Sequence, residues 1–189
     1  MESKKSQPQS KFETSEPIPE GSQFDKYVKS CQALLSQELV EEVFQKFEAL
    51  LKGIFRDIMH FLTDDSPRLA IQLQLIYSND QFEQIVQGVD NNPKIIKPSK
   101  AKIPIYAFVL DNGILSTINI NVGGLVLLGS SPALIFNYVA CVGHEINHIL
   151  YHSKSEQEIH NVDVPFLEKF LGCKLPEEFK NLKTSDYSY

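Results

Sequence analysis

The amino-acid sequence predicts an α+β fold, mainly helical, with a small antiparallel sheet or hairpin packed on one central helix. Three observations carry this. Apolar residues recur every three or four positions across 36–62, the period of one helix face. Two β-rich runs flank Asp111-Asn112-Gly113, and Asn-Gly between such runs signals a hairpin because both residues tolerate positive φ. The run from Ser131 to His152 is apolar on nearly every side, which marks a helix in the middle of a fold.

Taken in order, residues 1–23 are too polar to bury and read as a disordered tail. They lack the apolar h-region of a secretory signal. Residues 24–189 read as one domain in three parts: a helical part (24–62), a sheet or hairpin part (67–122) and a second helical part (131–175). In the first, a helix from about Phe24 to Leu35 precedes a longer one. The longer helix has an apolar face through Phe47, Leu51, Ile54 and Ile58, with Ser36 as N-cap and Glu38, Glu41 and Glu42 near the positive end of its dipole. Thr63–Pro67 ends the pair. Ile71, Leu73 and Leu75 alternate as in a half-buried strand. A short helix through Gln81–Val86 follows, then a loop with Pro93 and Pro98. Ile105–Leu110 pairs with Ile114–Ile120 through a type I′ turn at Asn112-Gly113. Ser131 is the expected N-cap and Pro132 the first residue of the apolar helix, which runs to about His152. Phe166–Phe179 reads as a closing helix ended by Gly172, then a Pro-started turn. The polar tail carries Tyr187 and Tyr189.

Composition narrows the function classes. A chain of 189 residues, 42% hydrophobic and 22% charged, is ordinary for a globular protein with a core of its own. A net charge of −6 argues against nucleic acid as a partner, since phosphate binding needs a basic face. Cys31, Cys141 and Cys173 are odd in number and form no Cys-x-x-Cys pair, so no disulfide framework is expected and a reducing compartment fits. Asn112–His144 contains no Asp, Glu, Lys or Arg. Gly and Pro breaks nevertheless cut it well short of the roughly 20 unbroken apolar residues of a spanning helix. The expectation is a cytoplasmic protein without a transmembrane segment, peripheral membrane contact being left open.

The apolar helix carries His144-Glu145-Ile146-Asn147-His148, the pattern His-Glu-x-x-His. The chain's own His and Glu frequencies would produce it by chance in about 1% of such sequences. Ionisable groups on so apolar a helix need partners. Residues four apart lie about 40° apart around a helix and about 6 Å along it, so His144 and His148 can share one ion. Zinc takes neutral imidazole nitrogens, and Glu145 beside them can accept a proton from a water that zinc has acidified. Two histidines are too few, so a third protein ligand is needed. Glu158 is the first choice if a turn at Ser153–Ser155 brings a second helix back past the first, although Ser155-x-x-Glu158 also fits a capping box. His160, Glu156, His152 and Asp163 follow, His152 reading equally as a helix-end residue favoured by the dipole. Cys141 reads as a small core residue.

The stretch "IYAFVLDNGILSTINI…GGLVLLGSSPALIFNYVACVGHEINHILYHSKSEQEIHNVD" resembles the core of the HtpX-like and CAAX-prenyl-protease gluzincins, over residues 105–163. The resemblance implies a zincin-like fold and a zinc endopeptidase, with ligands His144, His148 and Glu158 and general base Glu145. It also implies that the strand of Tyr106, Ala107, Phe108 and Val109 holds an extended peptide by β-augmentation. Two positions depart from the family pattern. Its Asn before "AFV" is Tyr106 here, and the Asp of its "EAD", which orients a ligand His, is His160. His160 could instead stabilise a developing oxyanion. The His148–Glu158 link is shorter than in most members and closer to the compact minigluzincins. The alternative to a peptidase is a catalytically inactive zinc-binding adaptor that retains the fold, with helices 24–62 as its partner surface. A third reading is a core histidine pair without metal.

Overall fold

The computed structural model describes residues 17–38, 40–63, 70–90, 106–111 and 113–181. The expected turn residues 64–67, the Pro93 and Pro98 loop, Ile105, Asn112 and the tail with Tyr187 and Tyr189 lie outside these.

Helix α1 (Gln23–Leu35) starts where the Ser22 hydroxyl accepts the Asp25 N–H at 3.1 Å. Just before it, Ile18 packs against the core, so the residues ahead of α1 are not all tail. Ser36 closes α1 instead of opening the next helix. Its N–H donates to the Gln32 carbonyl and its hydroxyl to that of Ala33, satisfying acceptors that a helix end leaves open. The next helix, α2 (Glu41–Thr63), begins five residues later, with Glu41 and Glu42 in its first turn.

Strand β1 (Ile71–Ile76) alternates half-buried and exposed residues as expected, up to the buried Ile76. Helix α3 (Asn79–Asp90) is longer than predicted. Strands β2 (Ala107–Asp111) and β3 (Ser116–Asn121) pair antiparallel, and β1 joins β3 in parallel, giving the order β1-β3-β2. The sheet is therefore mixed, not antiparallel throughout. The hairpin also differs from a two-residue turn. Asp111 pairs with Ser116, so the loop includes Ile114, which is 88% exposed. Gly113 does adopt positive φ (81°), and its N–H donates to the Asp111 carboxylate at 2.9 Å.

A short helix, α4 (Val122–Val126), follows β3 directly. It was not foreseen, because Gly123-Gly124 reads as a break. Here the glycines serve a close approach: a Cβ on Gly123 would lie 2.3 Å from the Tyr77 carbonyl oxygen. Asn121 caps α4 by accepting the Gly124 N–H and also donates to Asn79 Oδ1, both at 2.8 Å.

Helix α5 (Ser131–Leu150) is the predicted apolar helix, shifted by one residue at its start. Ser130, in extended conformation, accepts the Ala133 N–H and is the N-cap. α5 packs against α1, α2, α4, β2 and β3 and lies at the centre of the core. Phe24, Phe136 and Tyr138 are fully buried, each such side chain contributing about 1.5–3 kcal/mol. The Tyr138 hydroxyl donates to the Leu51 carbonyl of α2 at 2.7 Å, so its polar end is satisfied.

Helix α6 (Glu156–Leu171) turns back along α5 and ends at Gly172, whose φ of 71° is the left-handed cap expected there. The close packing of α5 and α6 depends on Gly143, where a Cβ would fall 2.1 Å from Phe166 Cε1. Helix α7 (Glu177–Lys180) closes the described chain, with Phe179 packed edge-on to Phe136.

Candidate metal centre

His144, Glu145 and His148 lie in the C-terminal half of α5, on the side that α6 covers. The α5–α6 turn at 151–155 brings the first residue of α6, Glu156, over the two imidazoles. Among the described residues, His144, His148 and Glu156 form a group whose ligating atoms all lie within 4.8 Å of one another. His148 Nε2 is 3.0 Å from His144 Nε2 and 3.1 Å from Glu156 Oε1, and His144 Nε2 is 3.4 Å from Glu156 Oε2. Tetrahedral ligand atoms at 2.0–2.1 Å from zinc lie about 3.3 Å apart. Glu156 Oε2 is buried and, among the described residues, has no hydrogen-bond partner, although His144 Nε2 stands 3.4 Å away. A cation between the three side chains would satisfy it, so the donor set fits zinc.

The third member is Glu156 and not Glu158. Glu158 is exposed, and its carboxylate accepts the Ser155 N–H at 2.9 Å and the Ser155 hydroxyl at 2.7 Å. This is the capping-box use of that residue. At 100° per residue, Glu158 stands about 160° around the helix from Glu156, on the solvent side. His160 is buried, but its described contacts are with α7. Its ring lies 5.4 Å from that of Phe179, and Nε2 is 3.4 Å from the Lys180 carbonyl oxygen. His160 is not among the three residues whose ligand atoms converge. His152 is exposed beyond the end of α5.

The orienting carboxylate comes from Asp163, two turns along α6 from Glu156. Asp163 Oδ2 lies 2.6 Å from His144 Nδ1, and Oδ1 accepts from Asn147 Nδ2 at 2.8 Å. A carboxylate only accepts, so the Nδ1 proton goes to Asp163 and His144 Nε2 is left facing Glu156 and His148. The position of the family's "EAD" Asp is occupied by His160, but Asp163, one turn later, makes the contact. Asp163 was only the last of the ligand candidates, and Asn147 was not singled out at all. The signal for Asp163 was the spacing Glu156–Ile159–Asp163–Phe166, which puts it on the face of α6 that meets α5; the signal for Asn147 was an amide on a largely apolar helix, three residues from His144.

Electrostatics follow from the same packing. Burial lowers the His144 pKa, but the Asp163 and Glu156 carboxylates beside the ring outweigh it and bring the value up to about 10. For Glu156 burial acts upward, and the two imidazoles bring it down to about 2. Glu145 is half-buried beside the cluster. Burial raises its pKa, the neighbouring histidines lower it, and Glu156 and Asp163 raise it, with a net upward shift. A raised carboxyl pKa suits proton transfer near neutral pH. Burial, with Glu145 and Asp163 nearby, pushes the Cys141 thiol up to about 12, and Cys141 is not part of the group of converging ligand atoms.

Strand β2 is an edge of the sheet and packs against α5. The Asn121 N–H donates to the Tyr106 carbonyl at 2.7 Å, extending the ladder by one residue. By the alternation of an antiparallel pair, Ala107, Val109 and Asp111 turn their N–H and C=O groups to the outer edge. Tyr106 is half-buried and close enough to Cys141, one turn before His144, to interact with it electrostatically. Phe108 packs on Phe82 of α3, with ring centroids 5.3 Å apart.

No family model matches the chain, and no curated protein or solved structure matches it. Among the described residues, no helix is long and apolar enough to cross a membrane.

Proposed function

We propose that this chain is a zinc-dependent endopeptidase in which His144, His148 and Glu156 hold the metal and Glu145 is the general base. The observation that carries the reading is the approach of two Nε2 atoms and the Glu156 carboxylate to 3.0–3.4 Å, the spacing of a zinc ligand set. When bound, zinc supplies Lewis acidity toward a carbonyl and makes water nucleophilic near neutral pH. Glu145 takes the proton of the attacking water and returns it to the amine that leaves as the peptide bond breaks. The outer edge of β2, through Ala107 and Val109, pairs with the backbone of an extended peptide or protein substrate and sets it along α5. Asp163 holds His144 through Nδ1, which turns Nε2 toward the place where the metal would sit.

The test is to load the full chain with zinc, measure metal stoichiometry, and follow hydrolysis of an unfolded, quenched fluorescent protein. One zinc per chain and cleavage are expected. Glu145→Gln should retain zinc and lose about 10²–10⁴-fold in rate. Cleavage by E145Q at the wild-type rate, or no zinc retained after loading, ends the proposal. Zinc bound by both proteins with cleavage by neither would select the inactive zinc-binding adaptor. The short contacts within the cluster favour one further reading, a histidine pair held together by protons, and the metal measurement decides against or for it.

A further inference from the structure

Asn147 is fully buried in α5, between the two histidines in sequence, and 0% of its surface is exposed. Its amide Nδ2 donates to Asp163 Oδ1, and its own Oδ1 has no hydrogen-bond partner among the described residues. A buried acceptor left unsatisfied is a cost to folding. The surrounding α5 positions Val139, Val142 and Ile146 are apolar, so packing alone would favour an apolar residue here.

What Asn147 gains is control of the Asp163 carboxylate. His144 and Asn147 are three residues apart and share one face of α5. They take the two oxygens of the same carboxylate, His144 Nδ1 at 2.6 Å from Oδ2 and Asn147 Nδ2 at 2.8 Å from Oδ1. With only one of these contacts the carboxylate could rotate about its bond to the side chain. With both, its plane is set, and the imidazole it holds is set with it.

Resting on the zinc reading above, we propose that Asn147 is a positioning residue for the metal centre, acting on His144 only through Asp163. Groups one shell beyond the ligands are worth about 10–100-fold in metal affinity. A residue that acts solely through Asp163 should matter only while Asp163 can hold His144.

The experiment is a double-mutant cycle on zinc affinity in the full chain, read by competition with a chromophoric chelator. The set is wild type, Asn147→Leu, Asp163→Asn and the double variant, with Asn147→Ala as a second replacement should the leucine disturb folding. Thermal melting of each metal-free protein and the visible spectrum of each cobalt-loaded protein accompany it. N147L is expected to weaken zinc by about 10-fold or more in the wild-type background and by less than about twofold in the D163N background. The cobalt bands of N147L should move toward those of D163N. Equal losses in both backgrounds, or a lowered melting temperature with unchanged zinc affinity and cobalt spectrum, would show that Asn147 only packs and overturn the proposal. Failure of the wild type to bind zinc would overturn the metal centre as well, which separates the two.

Discussion

Replacing Glu156 by Gln, with Glu158→Gln as its partner, tests which carboxylate completes the site. Glu156 lies 3.1 and 3.4 Å from the two imidazole nitrogens, and its side chain is only 15% exposed. Groups that merely orient ligands are worth about 10–100-fold in affinity, so loss of a ligand should cost on the order of 10²-fold or more. At free zinc of 100 times the wild-type Kd, binding stabilises the fold by about 2.7 kcal/mol, which raises Tm by about 5–11 °C in a chain of this size. An E156Q site about 100-fold weaker would give about 0.4 kcal/mol and a shift of about 1–2 °C at the same zinc concentration. The metal-free variant should also be less stable. The Glu156 pKa falls from 4.5 to about 2 on folding, worth at most about 3 kcal/mol. A depressed carboxyl pKa gives stability that is present above about 4.5 and lost as the pH falls through about 2, so a melt at pH 7 reads all of it. E158Q removes an exposed cap and should leave the zinc-induced shift as in the wild type. The assay is thermal melting with and without zinc, beside direct competition for the metal. Loss of the zinc shift in E158Q with its retention in E156Q would refute the assignment.

Three further outcomes follow from the same geometry. Zinc needs His144 neutral, yet its pKa in the metal-free fold is raised to about 10, so binding should release about one proton and affinity should climb about tenfold per pH unit between pH 7 and 9. A flat profile above pH 7 would show that His144 is not held as an imidazolium; the same shift stabilises the metal-free fold fully below about 6.5 and fades as pH rises through about 10. Gly143→Ala sets a methyl 2.1 Å from the Phe166 ring and should cost about 1–3 kcal/mol in a denaturant melt while weakening zinc, because it parts α5 from α6. Tyr138→Phe removes the 2.7 Å bond to the Leu51 carbonyl and should cost about 1–3 kcal/mol in the same melt, with zinc affinity unchanged.

Periodicity and turn chemistry placed most elements in the sequence. The alternation of Ile71, Leu73 and Leu75, the spacing through Phe47, Leu51, Ile54 and Ile58, and the left-handed Gly172 are local properties of the chain. Each is satisfied within a few residues, so each was legible. Boundaries were harder where two serines compete. Ser36, read as an N-cap, closes α1, and Ser130 takes the cap of α5 expected at Ser131, because only the backbone path decides which hydroxyl meets which helix end.

The His144-Glu145-x-x-His148 motif was also determined by the sequence, since one helical turn is enough to put two imidazoles together. The remainder of the site needed α5 and α6 in contact. Glu156 and Glu158 are two residues apart in a stretch that offers both, yet they face opposite sides of α6. Which side meets α5 is set by Gly143, whose missing side chain admits Phe166, and by the apolar Ile159 and Phe166 on that face. Asp163 and Asn147 came together for the same reason, across sixteen residues of chain. The parallel pairing of β1 with β3 likewise depends on a long connection that no local pattern encodes. Local spacing fixes which residues share a helix face, and only the packing of one helix on another fixes which face becomes the site.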